Sequence, residues 1–299
     1  MAASKKVYGT VAICAILAIS AYFGFAGANY GPLRQSAPAT YERWITTRSD
    51  DTKIRQMALP GTHNTIALYS IGDLAGQCQT LSLRDQLGIG VRFLDIRLKL
   101  NGERLRGVHG SIDQRVNFTS IVEEVDDFLT KNPGEFLFVS IKDEVGSEGT
   151  KFQQALEKEL TAKWSKKTTL PSTVGEARGR AWIISRFPNS TIGFPAYQGW
   201  GDSASFVLPG DIYVQDTYKT TVDQKKEEIT RCFAESGHTL KINFLSGYQP
   251  GGFPPSYAPS IASTINPWVD ANISSYADKG IVLYDFVDSA SMKAFFGGK

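Results

Sequence analysis

Two histidines and an arginine carry the strongest chemical signal in this chain. His63 stands in Met57-Ala58-Leu59-Pro60-Gly61-Thr62-His63-Asn64-Thr65, and His109 follows 46 positions later in Leu105-Arg106-Gly107-Val108-His109-Gly110. Between them runs Val91-Arg92-Phe93-Leu94-Asp95-Ile96-Arg97-Leu98, and the sequence holds only three histidines in all. An imidazole titrates near neutrality, so one ring can start neutral as a base and the other charged as an acid. The planar fork of Arg97 suits a pair of phosphate or carboxylate oxygens. Together they read as a proton acceptor and a proton donor around an anion. The histidine without such company, His238, follows Gly237 after a helix-like stretch and reads as a structural residue favoured by the helix dipole.

Elements of alternating type must position these groups. Apolar or β-branched runs occur at 54–59, 91–98, 104–109, 135–142, 181–186, 211–215, 241–246 and 281–286. Mostly apolar strands, rather than alternating ones, indicate burial on both faces. Helical periodicity appears at 150–164, at 222–236 and, less sharply, at 259–279. Ser120-Ile121-Val122-Glu123 has capping-box spacing and opens an amphipathic stretch closing at Lys131-Asn132-Pro133-Gly134. Asn101-Gly102 leaves room only for a tight hairpin. Eight strands with intervening helices predict an α/β fold, an irregular (β/α)8 barrel. At or near the ends of the runs stand His63, Arg97, His109, Lys142, Arg186, Asp216, Ser246 and Asp285. Seven of these eight are ionisable, and barrel active sites form at the strands' C-terminal ends. The pattern describes a funnel for an anionic, hydroxyl-rich ligand.

Composition bounds the rest. The 299 residues, 42% hydrophobic, fit an ordinary globular protein with a large core. Lys5 and Lys6 precede an uncharged apolar run from Val7 to Ala28, ending in the small-x-small pattern Ala26-Gly27-Ala28. Residues 1–28 are therefore expected to be a signal peptide or an N-terminal membrane anchor, with 29–299 as one exported domain. Without that segment the chain carries 30 basic and 30 acidic residues. A neutral balance argues against broad binding to nucleic acid. Cys14 lies in the leader, while Cys78 and Cys232, 154 positions apart, are left open as a bridge or as two buried thiols.

The motifs taken in order are similar to a known family. Leu59-Pro60-Gly61-Thr62-His63-Asn64-Thr65, Leu94-Asp95-Ile96-Arg97, Val108-His109-Gly110 and Val139-Ser140-Ile141-Lys142-Asp143-Glu144 resemble the X domain of phosphatidylinositol-specific phospholipase C. The likeness is to the single-domain bacterial and fungal type. It continues through Ile184-Ser185-Arg186-Phe187, Tyr213-Val214-Gln215-Asp216-Thr217-Tyr218-Lys219 and Gly280-Ile281-Val282-Leu283-Tyr284-Asp285. The resemblance implies that His63 takes the proton of the inositol 2-hydroxyl and Arg97 balances charge on the phosphoryl oxygens. His109 then protonates the departing diacylglycerol oxygen, and Asp285 orients His63. It further implies that Lys142, Arg186 and Asp216 hold inositol hydroxyls, with Tyr218 packed against the ring. The substrate so implied is a phosphoinositide lipid or a glycosylated anchor of the same kind at a membrane surface, acted on by a monomer.

Asn64 departs from the metal-independent members, which carry Asp there, and resembles the calcium-dependent type. That type, however, places acids where this chain has Arg97 and Lys142. A cation is disfavoured beside two fixed positive groups, so no cofactor is expected, calcium included. Two other classes are weighed. A metal-dependent glycerophosphodiester phosphodiesterase would need a Glu/Asp cluster near its first histidine, and the His63 and Arg97 segments supply none. A non-catalytic inositol- or glycan-lipid-binding relative would be marked by loss of a histidine, and both remain. Tyr248 to Tyr257, a Gly/Pro stretch with three aromatics counting Phe253, is either a bilayer-dipping loop or a packed lid.

Overall fold

A computed structural model describes residues 40–70, 76–249 and 257–297. Residues 1–28, and with them the expected leader, lie outside the described residues, as does the Phe253 part of the aromatic loop. Among the described residues no helix is long and apolar enough to cross a membrane.

The strands are β1 Leu59–Thr62, β2 Phe93–Asn101, β3 Arg104–His109, β4 Ile112–Asn117, β5 Leu137–Asp143 and β6 Trp164–Ser165. They continue with β7 Ala181–Arg186, β8 Phe194–Pro195, β9 Ser205–Leu208, β10 Ile212–Gln215, β11 Leu240–Phe244 and β12 Ile281–Tyr284. Seven of them run parallel in the spatial order β7-β5-β2-β1-β12-β11-β10. The two-residue strands β6 and β8 both pair parallel with β7, on its far side from β5, and antiparallel β9 covers the outer edge of β10. Among the described residues no pairing joins β8 to β9 or β10, so the barrel has a seam there. The α/β barrel expected from the sequence is thus present and irregular.

Two of the expected strands differ. Residues 104–109 are not a barrel strand: β3 folds back antiparallel on β2, Leu98 facing Gly107, and β4 pairs antiparallel with β3. The Asn101-Gly102 turn allows nothing else, since a two-residue connection cannot return a chain in parallel. The first run, 54–59, is a 3-10 turn at Ile54–Gln56, and the strand begins at Leu59. Ile54 is buried with the residues inside the barrel rather than paired in the sheet. The helix Phe118–Lys131 also starts earlier than its capping-box spacing suggested. Asn117 is its N-cap, without a side-chain bond, and Ser120 lies inside its first turn. Better-placed caps do operate at Val222–Ala234, where Thr221 and Gln224 form a capping box.

The period of two along the barrel strands separates two cores. Leu94, Ile96, Val139, Ile141, Ile183 and Val282 point outward and pack on helix residues such as Ile121, Val125, Leu156 and Ile229. Leu59, Phe93, Phe138, Ile184, Val214, Phe244 and Leu283 point inward and fill the barrel. Gly61 lies in the inward series, where an added Cβ would stand 2.8 Å from Phe93 Cβ. At the other end, buried Arg92 donates to Glu135 Oε2 at 2.8 Å and to the carbonyl of Glu42. A buried charge needs this full pairing to offset lost hydration.

Candidate active site

Continuing each inward series by two-residue steps past the apolar layers brings polar groups to one end of the barrel. Gly61 leads to His63, Phe93 through Asp95 to Arg97, and Phe138 through Ser140 to Lys142. Likewise Ile184 leads to Arg186, Val214 to Asp216, Phe244 to Ser246 and Leu283 to Asp285. All of these outer residues line one cavity of about 600 Å³. Eight of the nine residues expected from the sequence line it; the ninth, Asn64, is buried just behind His63. His109 arrives by another route. The β2–β3 register carries it back to the level of Ile96, beside the parallel strands rather than at the end of one.

His63 is held on both nitrogens. Its Nε2 lies 2.8 Å from an Nη of Arg97, and a guanidinium can only donate. Nε2 is therefore the acceptor with the lone pair, and Nδ1 donates to Asp285 Oδ1 at 2.7 Å. That tautomer leaves the unprotonated nitrogen facing the arginine. The main chain is fixed as well: the His63 amide donates to Tyr284 O at 3.0 Å, and Gln79 Nε2 donates to His63 O at 2.8 Å. His109 Nδ1 donates to Gly76 O at 3.0 Å, since a carbonyl only accepts, leaving Nε2 to titrate. Burial, then the charges of Arg97 and His63, push His109 below the ordinary imidazole range. An incoming anion would reverse the last two effects.

Arg97 sits between two carboxylates. Its Nε donates to Asp95 Oδ2 at 3.1 Å, and an Nη lies 3.4 Å from Glu144 Oε1. Burial works against its charge, but Asp95 and then Glu144 outweigh that and hold it raised. Asp95 in turn accepts from Arg186 at 3.1 Å and from the amide of Asn64 at 3.1 Å. Although fully buried, it stays well below the usual carboxylate range because Arg97 and Arg186 flank it. Lys142 Nζ lies 2.6 Å from Glu144 Oε2. Burial opposes the Glu144 charge, yet Arg97 and Lys142 hold its pKa at about 2. The Lys142 ammonium is lowered by burial and by Arg97.

Further along the wall, the Arg186 guanidinium lies 3.6 Å over the Trp200 ring, and Trp200 Nε1 donates to Asp216 Oδ2 at 2.9 Å. At the mouth, Tyr218 stacks on Tyr248 with centroids 6.0 Å apart. The Tyr218 hydroxyl donates to Asp202, which also takes Lys219 Nζ at 2.7 Å. Tyr248 and Tyr257 line the same mouth.

Several site residues carried no assigned role in the sequence reading: Asp95, Glu144, Cys78, Trp200 and Asp202. The first two stand inside motifs already quoted, so an acid within an apolar strand (Asp95) or just past one (Glu144) was the available signal. Cys78, Trp200 and Asp202 had none. Cys78 and Cys232 are both buried and free, so the disulfide alternative is set aside. His238 is structural, but not as a helix-terminal residue. The helix ends at Ala234, and His238 Nδ1 lies 2.7 Å from Asp211 while its ring stacks on Tyr213.

Asn64 adopts a left-handed φ of 45°. Its side-chain Nδ2 lies 3.1 Å from His63 Nε2 and 3.7 Å from Cys78 Sγ, while its buried Oδ1 has no partner. Among the described residues, His63, Cys78 and Asp285 bring three potential metal-ligating atoms within 4.8 Å of one another.

Comparison with known proteins agrees with the motif order. Residues 57–183 match the family model described as phosphatidylinositol-specific phospholipase C, X domain. A 1-phosphatidylinositol phosphodiesterase from Listeria monocytogenes is 25% identical over 281 residues, spanning 88% of this chain and 86% of that protein. A protein of the same description from Staphylococcus aureus is 24% identical, spanning 91% and 90%. A solved variant of the Staphylococcus aureus phospholipase superposes with a TM-score of 0.75 at 19% identity, covering 87% of this chain and 98% of that one. The Listeria monocytogenes structure gives 0.68 at 22% identity, covering 87% and 99%. These neighbours share the fold.

Proposed function

We propose that this chain, which carries the phosphatidylinositol-specific phospholipase C X domain, cleaves phosphatidylinositol to diacylglycerol and inositol 1,2-cyclic phosphate. The observation that carries the reading is His63, fixed as a Nε2 base by Asp285 on one side and Arg97 on the other.

In this reading the substrate phosphate draws Arg97 onto its oxygens, and the inositol 2-hydroxyl takes the arginine's place at Nε2. The 2-oxygen attacks phosphorus as its proton passes to His63. His109 gives its proton to the glycerol oxygen as that bond to phosphorus breaks. The phosphoryl group needs positioning and charge balance rather than a covalent enzyme intermediate. Arg186, Asp216 and Lys142 supply donors and acceptors for ring hydroxyls, and Tyr218 an aromatic face.

The reaction as we read it uses no metal. The carboxylates nearest the phosphate position, Asp95 and Glu144, are already neutralised by Arg97, Arg186 and Lys142. A hard cation needs several uncommitted oxygen ligands. Asn64, rather than an acid, stands beside His63 and Cys78, so the charge that holds His109 protonated comes chiefly from the bound phosphate.

Phosphorus NMR of the product formed from phosphatidylinositol vesicles in EDTA tests substrate, product and metal requirement together. A cyclic phosphodiester signal is expected. Acyclic inositol phosphate as the first product, or no turnover without calcium, would overturn the corresponding part.

A further inference from the structure

We propose that His63, Cys78 and Asp285 form a binding site for a thiophilic divalent cation of the Zn²⁺ class, and that its occupation silences the catalytic base. The one-thiolate, one-imidazole, one-carboxylate set is typical zinc chemistry with a position left open. A hard cation would find only one oxygen ligand here, so calcium is not the ion.

The geometry is close to what a zinc ion needs. The three donor atoms lie within 4.8 Å of one another. Bonds of about 2.0–2.3 Å at tetrahedral angles place ligand atoms roughly 3.3–3.8 Å apart, so closure takes side-chain shifts of about 1 Å. All three residues line the same cavity, which gives the ion an entry path and leaves the open position to water or a phosphate oxygen. Thiolate and carboxylate together neutralise the ion, and Arg97, whose Nη lies 2.8 Å from His63 Nε2, can give up that contact and still keep its pairs with Asp95 and Glu144. Burial and Asp285 push the Cys78 thiol up, and a bound metal ion deprotonates a coordinating thiol outright. Binding therefore releases one proton, from Sγ to solvent.

Inhibition follows whichever ring nitrogen ligates. Through Nε2, the lone pair that would accept the substrate proton is used. Through Nδ1, the hydrogen bond to Asp285 is lost and the ring proton moves to Nε2, with the same result. This half rests on the reading of His63 as base; the binding half does not.

The test titrates metal-free protein with Co²⁺ and, separately, assays phosphatidylinositol cleavage against Zn²⁺. One equivalent of cobalt should produce a near-ultraviolet thiolate-to-cobalt absorption that zinc removes. It should be absent in Cys78→Ser and Cys78→Ala and kept in Cys232→Ser. Zinc should inhibit the unaltered protein reversibly, with EDTA restoring the rate. The Cys78 variants, whatever their own rates, should need at least the roughly 10–100-fold more zinc that loss even of an outer partner costs. No thiolate band in the unaltered protein, or a band that persists without Cys78, overturns the site. Equal zinc sensitivity with and without Cys78 overturns the link to the base. If no cleavage is seen with or without calcium, the enzymatic reading fails instead, and the cobalt spectrum alone decides the site.

Discussion

An Nη of Arg97 lies 2.8 Å from His63 Nε2, so the two groups that the proposed reaction needs as phosphate clamp and base share one hydrogen bond. In the proposed reaction the arginine leaves that bond for the substrate phosphate, which would couple phosphate binding to unmasking of the base. Arg97→Lys keeps the charge but loses the fork and this reach. It should lower kcat by about 10²–10³-fold, the usual cost of one oxyanion-stabilising donor. A variant with near-normal kcat and only a raised KM would show that Arg97 binds without acting in the transition state.

Replacing His63 or His109 with Ala should each cost roughly 10²–10⁴-fold, the worth of a positioned base or acid. The two should part company on a substrate whose leaving group needs no proton. That substrate restores much of the His109→Ala rate and little of the His63→Ala rate. Equal behaviour of the two variants on it would contradict the assignment of acid and base.

Asp285→Asn leaves the shape of the His63 contact but replaces an acceptor-only carboxylate with a neutral amide that can also donate, so the ring tautomer is no longer fixed. Its kcat should fall by roughly 10²–10⁴-fold with KM little changed. A dominant rise in KM would place Asp285 in substrate binding.

The pH profile of kcat/KM reports groups of the free enzyme. His109 lies below the ordinary imidazole range through burial, Arg97 and His63, and the proposed reaction needs it protonated. The falling alkaline limb should therefore appear below the usual histidine value of about 6.5, giving an optimum on the acid side. His109→Ala should remove that limb on the activated substrate. An alkaline limb well above neutrality would mean another group is the acid.

Asp95 holds the site together from below by bonding Arg97, Arg186 and the Asn64 amide. Removing a buried partner of this kind costs about 3–5 kcal/mol, so Asp95→Asn should lower Tm as well as activity. Asp95 and Glu144 both have depressed values. Their stabilising effect is complete above the unfolded carboxylate range of about 4 and is lost as pH falls towards about 2. Acid unfolding should accordingly shift to higher pH in Asp95→Asn. An unchanged acid transition would mean the pairing contributes little.

Much of this site is written locally. In a parallel strand buried on both faces, every second residue enters the barrel, so Phe93-Asp95-Arg97 and Phe138-Ser140-Lys142 state their own inward order. The same counting delivers Arg186, Asp216 and Asp285 to the barrel end. Helix starts depended on a bond the spacing only suggests: Thr221 and Gln224 make theirs, whereas Ser120 and Glu123 sit inside a helix already begun at Phe118. The remainder belongs to the tertiary structure because it depends on segments far apart in the chain. His109 reaches the cavity through the β2–β3 hairpin register, not as the end of a barrel strand. Trp200 meets Asp216 and Arg186 only because the β8–β9 connection folds over the seam. Cys78 comes beside His63, Asp285 and Asn64 from a segment with no periodicity to announce it. Period-two counting places a residue's height and side within one strand; which strands and loops face each other is settled only when the sheet closes on its core.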